Sequence, residues 1–154
     1  MFQVRPAILE DCNQLGPRLR VADKLELKLS CGMGPCSALS LSYTNSQKVY
    51  SVIAEEGEPI AIFGVVGEHP SIGVPWMLGS EGIYKHAAQF MAESKQWLKE
   101  IEEDYELLVN YVHADNKKAI RWLKWMGFQM IRLVPDYGKG KAPFYEFVKV
   151  RQHV

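Results

Sequence analysis

The stretch that most constrains this chain is NKKAIRWLKWMGF, residues 116–128. An apolar run, LLVNYVH, precedes it and a second, FQMIRL, follows it. The pattern predicts a short helix crossing between two strands. Asn116 suits the N-cap, where its side-chain oxygen can accept a free backbone N–H of the first turn. Ile120, Leu123 and Met126 recur at three-residue spacing and share one face. Gly127 suits the left-handed position just past a helix end, and Phe128 can fold back on the last turn. A chain with this unit at its C-terminal end is an α/β chain.

The rest of the sequence is compatible with one domain over residues 1–154. Hydrophobic residues make up 47% and charged residues 23%, which excludes a disordered chain. Lys plus Arg and Asp plus Glu both number 18, so net charge favours neither nucleic acid nor an anionic membrane as partner. No apolar run is long enough to span a bilayer, and the first residues lack the apolar core of a signal peptide. The expected location is therefore cytoplasmic. Cys12, Cys31 and Cys36 are an odd set and read as free thiols. Cys31 and Cys36 lie in CGMGPC without a second pair or a nearby His, so no metal site is expected.

In chain order, residues 2–5 read as a strand stopped by Pro6. Residues 10–19 and 22–29 read as helices broken at Gly16-Pro17. In the second, Leu25 and Leu29 share a face while Asp23, Lys24, Glu26 and Lys28 point outward. Residues 37–45 suit a further helix. Residues 48–54 alternate as a strand, and 60–66 form a near-continuous apolar strand, the two joined as a hairpin. Residues 71–78 form a fourth strand interrupted by Pro75, which cannot donate to a sheet ladder. An amphipathic helix covers 83–102. After the central unit come a loop over 135–141 and a last strand over 144–150.

This order, together with Asn116, Ala119, Ile120, Gly127 and Phe128, resembles the GCN5-related N-acetyltransferase (GNAT) family. The resemblance implies an α/β fold with a mixed, mostly antiparallel sheet of about seven strands and helices on both faces. It implies that the fourth and fifth strands splay apart at Pro75, with the pantetheine arm of acetyl-CoA in the gap. It implies that Met77 and Leu78 pair with that arm and that Asn116 and Ala119 meet it from the helix start. The pyrophosphate would rest on the loop Gly79-Ser80-Glu81-Gly82-Ile83, because helix-start N–H groups attract anions.

The chain departs from the family pattern in the loop after the fourth strand and on the central helix. Where the family has Gln or Arg it has Gly79; where it has a last small residue it has Tyr84; and Glu81 adds a negative charge beside the expected phosphates. Many members carry a Tyr seven residues after the helix Asn to protonate the departing thiolate, and here that position is Leu123, which carries no proton. Tyr84, Tyr111 and Tyr137 are substitutes by residue type. For the base that deprotonates an amine, His113 at the end of the fifth strand and Glu68 between the third and fourth are the candidates. His113 also suits a strand end bonded to backbone, and Glu68-His69-Pro70 also suits a polar turn. Trp122 and Trp125 face neighbouring sides of the short helix, and one of them should remain at the surface as part of a partner face.

One subgroup fits these departures. Trp97-Leu98, the strand LLVN followed by Tyr111, the central helix and Ile62-Phe63-Gly64 are similar to small GNAT-like proteins of tailed bacteriophages, some of which resemble an internal virion protein. The expected function is acetyl transfer from acetyl-CoA to a small-molecule or protein amine. The alternative is a non-catalytic phage protein of the same fold, acting in the virion or on a host factor. A second copy of the chain or a virion component is then the partner.

Overall fold

The computed structural model describes residues 1–151. The last three residues of the expected 1–154 domain lie outside the described residues. Seven strands form one sheet in the order β1-β2-β3-β4-β5-β7-β6. Their ranges are β1 Gln3–Pro6, β2 Lys48–Ile53, β3 Pro59–His69, β4 Ile72–Gly79, β5 Leu107–His113, β6 Gln129–Tyr137 and β7 Ala142–Val150. Every neighbouring pair is antiparallel except β4 and β5, which are parallel. The mixed, mostly antiparallel sheet of the GNAT fold is therefore present.

Helices lie on both faces. Helix α1 (Leu9–Leu15), α2 (Val21–Ser30) and α3 (Pro35–Asn45) cover one face, where Leu15, Leu27 and Leu39 pack on Ile62, Trp76 and Leu78. The other face is covered by α5 (Ala87–Glu102) and α6 (Lys117–Trp125). There Leu98, Ile101, Ile120 and Leu123 pack on Val65, Leu108, Val112 and Phe147. A single-turn helix, α4 (Gly82–Lys85), precedes α5. The helix expected over 83–102 is thus two helices. His86 leaves the helical region (φ −119°, ψ 28°), and its ring packs edge-on against Phe2 at 5.9 Å.

The central unit forms as its residues dictate. Asn116 Oδ1 accepts the Ala119 N–H at 3.3 Å. Gly127 adopts φ 104°. The Phe128 N–H bonds to the Leu123 carbonyl and the Gly127 N–H to the Lys124 carbonyl, both at 3.0 Å. These two bonds close a Schellman motif and satisfy the last carbonyls of α6. Ile120, Leu123 and Met126 are all buried.

Two boundaries differ from expectation. β3 runs to His69, so Glu68 and His69 belong to a strand rather than a turn. β6 runs to Tyr137 and includes Pro135. Proline is tolerated there because β6 is an edge strand, and the register slips between Val134 and Tyr137.

Candidate functional site

Parallel pairing of β4 with β5 covers only Ile72 with Leu107 and Gly73 with Leu108. Beyond that the strands part. Pro75 has no N–H to donate, and its carbonyl is taken by the Asn110 side chain at 2.6 Å. A cavity of about 450 Å³ occupies the gap. Ligand pockets span about 300–1,000 Å³, so the volume suits a small ligand. Its walls come from both faces of the sheet. Met77, Phe90, Met91 and Trp122 line it beneath α5 and α6, and Glu26, Ser42, Trp76 and Tyr111 line it on the side of α2 and α3.

The residues proposed from sequence fall in different places. Met77, Leu78, Ile83, Asn116 and Ala119 all line the cavity. Gly79, Ser80, Glu81 and Gly82 lie beside it and do not form its wall. His113 is buried, with its ring against Phe144 at 5.3 Å, and its backbone N–H donates to Glu26 Oε1. Glu68 is exposed near the tip of the β3–β4 hairpin. Neither His113 nor Glu68 lines the cavity.

The loop after β4 is closed by its own chain. The Ser80 N–H bonds to the Ile60 carbonyl at 2.9 Å, the Gly82 N–H to Ser80 Oγ at 3.2 Å, and the Ile83 N–H to the Ser80 carbonyl at 3.3 Å. Gly79 donates to Asp23 Oδ2 at 2.8 Å, and its carbonyl accepts the Arg20 N–H at 2.9 Å. The glycines are packing positions rather than an open cradle. A Cβ on Gly79 would meet Ile83 Cδ1 at 2.3 Å, and one on Gly82 would meet Ile60 Cγ2 at 2.8 Å. Tyr84, 45% exposed, sits under Lys118 Nζ at 4.7 Å. Phe90 of α5 and Trp122 of α6 lie 5.3 Å apart between those helices, their rings tilted by 32°.

The sequence reading placed Asp23 and Glu26 on the solvent face of α2, and the structure reverses this. Asp23 is buried, Glu26 lines the cavity, and Leu25 is 41% exposed. The reason is that α2 crosses the open end of the gap, where strand and helix ends present unpaired N–H groups. Asp23 takes the Gly79 N–H and chelates Arg20 at 2.9–3.1 Å. Glu26 Oε1 takes the His113 N–H at 3.0 Å and Asn116 Nδ2 at 3.1 Å. Burial pushes the Glu26 carboxyl above its usual range, and the Asn116 and His113 bonds only partly oppose this. Burial likewise raises Asp23 against the pull of Arg20. The three-residue spacing of Asp23 and Glu26, which puts both on one helix face, was the available signal.

The tyrosines offer little acid. Tyr111 donates to Glu146 Oε2 at 2.9 Å, and that bond, with burial, raises its pKa. Tyr137 stacks on Tyr111 at 4.4 Å, and burial raises its pKa too. Leu123 is 7% exposed and packs in the core under α6. Trp125 is the tryptophan of this helix left at the surface, 43% exposed beneath Lys95 Nζ. No group of His, Cys, Asp or Glu among the described residues is arranged to hold a metal ion. No helix among the described residues is long and apolar enough to cross a membrane.

Residues 49–132, more than half of the chain, match the family model described as bacteriophage T7, probable scaffold protein Gp13. The chain belongs to this Gp13 family. No curated protein matches its sequence. Solved structures share its fold at low identity. Ard1 from Thermoplasma volcanium superposes with a TM-score of 0.73 at 13% identity, covering 99% of each chain. The ribosomal-protein-S18-alanine N-acetyltransferase of Escherichia coli gives 0.72 at 12%, covering 100% of this chain and 96% of that one. A GCN5-related N-acetyltransferase from Kribbella flavida gives 0.69 at 12%, covering 97% and 98%. This Gp13-family chain therefore has the GNAT fold, and identities so low speak to fold alone. The matched span includes both gap strands and α6, whereas Arg20, Asp23 and Glu26 lie before it.

Proposed function

We propose that this chain is a phage assembly protein that uses the acetyltransferase fold as a scaffold and does not turn over acetyl-CoA. The observation that carries this reading is the closed loop after β4. Four of the five residues assigned to phosphate binding, Gly79, Ser80, Gly82 and Ile83, already have protein partners for their N–H groups. A pyrophosphate would have to displace those bonds, beside the acidic Glu81, for at most an equal number of new ones. Phe90 and Trp122, 5.3 Å apart in the cavity wall, further narrow the space between α5 and α6. The description of the matching family as a probable scaffold protein supports the assembly role.

A second reading, acetyl transfer to an amine, has one observation in its favour: Glu26, a half-buried carboxyl with a raised pKa, stands in the cavity wall. In that reading Glu26 takes one proton from the ammonium. The free amine attacks the thioester carbonyl, the C–N bond forms as the C–S bond breaks, and the nitrogen's second proton neutralises the thiolate. Leu123 supplies none of this.

Calorimetry of the purified chain with acetyl-CoA separates the two. The expected result is no saturable heat at millimolar ligand. Micromolar binding that CoA competes away would overturn the non-catalytic half of the proposal. Phage lacking the chain should stall in particle assembly, and a normal particle yield would overturn the other half.

A further inference from the structure

The zero net charge of the chain conceals an uneven distribution. α6 carries four cations, Lys117, Lys118, Arg121 and Lys124, and no acid in nine residues. Its neighbour α5 sorts its charges by side. Glu93 accepts from Gln89, which is tied to the Phe2 backbone, and Glu100 accepts from Tyr50 of β2. Lys95 turns the other way, toward α6, where its Nζ stands 4.3 Å from the centre of the Trp125 ring. Lys99, four residues on, shares the side of Lys95, and Arg121 shares the side of Trp125 at the same spacing. Lys95, Lys99, Arg121, Lys124 and Trp125 are all exposed, and none of them lines the cleft between β4 and β5. Among the described residues these four cations form no ion pair, whereas Arg5, Arg20, Lys48 and Lys149 all do. A groove of about 480 Å³ beside the Lys95–Trp125 pair is lined also by Gln129, Lys149 and Arg151, and by no acid. Unpaired like charges on neighbouring helices repel, and a polyanion laid across them relieves that repulsion and releases its own counterions.

We propose that the outer face of α5 and α6 binds a single-stranded nucleic acid, with Lys95, Lys99, Arg121 and Lys124 on its phosphates and Trp125 stacked on a base. The exposed indole, set among the cations, decides which polyanion fits. An unpaired base stacks on such a ring while its phosphates meet the flanking charges. An acidic peptide would use the cations alone, and a duplex keeps its bases stacked on one another. The proposal goes beyond the scaffold reading and uses no residue of the cleft, so either can fail without the other.

The test is fluorescence anisotropy of a labelled oligothymidylate of about 12 nucleotides with the full chain at about 50 mM salt. Saturable binding is expected. Its log affinity should fall against log salt with a slope of about −2 to −3, as for about three or four phosphates on a single strand. Arg121→Gln together with Lys124→Gln removes two of these contacts, so the slope should shrink by about 1.4. Trp125→Leu should bind about tenfold more weakly at an unchanged slope, the loss of one stacking contact. The altered side chains are exposed, so both variants should keep the parent's circular dichroism. Lys24→Gln together with Lys28→Gln, exposed cations of α2 on the opposite face, should leave binding unchanged. No saturable binding, equal competition by polyglutamate, tighter binding of the matching duplex, unchanged affinity in Trp125→Leu, or an equal loss in the α2 variant would overturn the proposal.

Discussion

Asp23 ties α2 to the end of β4, and its removal measures how firmly the cofactor loop is closed. One carboxylate, 4% exposed, accepts from the Gly79 N–H at 2.8 Å and from Arg20 Nε and Nη2 at 3.0 and 2.9 Å. The Arg20 side chain is itself only 16% exposed. Truncation in Asp23→Ala leaves a buried guanidinium without its counter-ion and a strand-end N–H without an acceptor. Breaking a buried pair from one side costs about 3–5 kcal/mol. For a chain of this length that corresponds to a fall in Tm on the order of 10 °C. Asp23→Asn keeps an oxygen for Gly79 and loses only the charge opposite Arg20, so its cost should be smaller, about 2 kcal/mol. Urea unfolding gives both values, and hydrogen exchange should show the Arg20 and Gly79 amides opening first in Asp23→Ala. An unfolding free energy within about 0.5 kcal/mol of the parent, the range of an ordinary surface substitution, would refute the reasoning. The Leu19–Asp23 segment would then be resting on β4 rather than holding it.

Leu123→Tyr, which restores the family's proton donor, should not create acetyltransferase activity. It places a larger side chain and a hydroxyl where Leu123 packs under α6 at the cavity wall, and a hydroxyl held there without a partner should cost about 1–3 kcal/mol in urea unfolding. An unchanged stability together with measurable turnover would reverse both the packing and the functional argument. Asp11 should govern acid stability on the opposite face. Burial pushes its pKa up, but bonds from Arg5, the Ile8 N–H and Ser51 outweigh that, and the net shift is downward. A carboxyl with a lowered folded pKa adds stability that is fully present above its unfolded value and is lost as pH falls through the folded one. The stability gap between the parent and Asp11→Asn should therefore be constant near neutrality and shrink below about pH 4, the unfolded carboxylate range. A gap unchanged at pH 2–3 would show that the charge of Asp11 contributes nothing.

Elements whose local chemistry and burial agree were readable in the sequence. α6 carries its cap at Asn116, its apolar face and its glycine stop within one short stretch, and each was found in place. The β2–β3 hairpin was readable for the same reason: an alternating strand, a turn at Gly57 and a doubly buried strand follow one another. Elements decided by contacts distant in sequence were not readable. The break at His86 has no glycine or proline to announce it; the ring contact with Phe2 and the bonds of Gln89 to the Phe2 backbone come from the other end of the chain. The orientation of α2 was misread because charged residues are ordinarily outside. Here Asp23 and Glu26 answer N–H groups of Gly79 and His113, 56 and 87 residues away. The extension of β6 past Pro135 depended on its being an edge strand, which sequence order alone does not reveal.

The gap between β4 and β5 is often taken as the mark of a cofactor, yet in this chain it has causes of its own. Pro75 cannot donate across it, and Asn110 spends its side chain on the Pro75 carbonyl. Both residues stop the backbone ladder between the strands, and the Asn110 side chain takes its place. A gap encoded in this way does not depend on the loop beside it, so changes at Gly79 to Tyr84 can alter that loop without letting the strands rejoin. The two sides of the gap are therefore separable. On the α5–α6 side, Ser80, Gly82 and Ile83 spend their N–H groups within the chain, and Phe90 and Trp122 line the cavity 5.3 Å apart. On the α2 side, Glu26 lines the cavity and takes the His113 N–H and Asn116 Nδ2 on one carboxylate oxygen. Pro75 and Asn110 set the separation of the strands, while the loop after β4 and the carboxylates of α2 set what borders it.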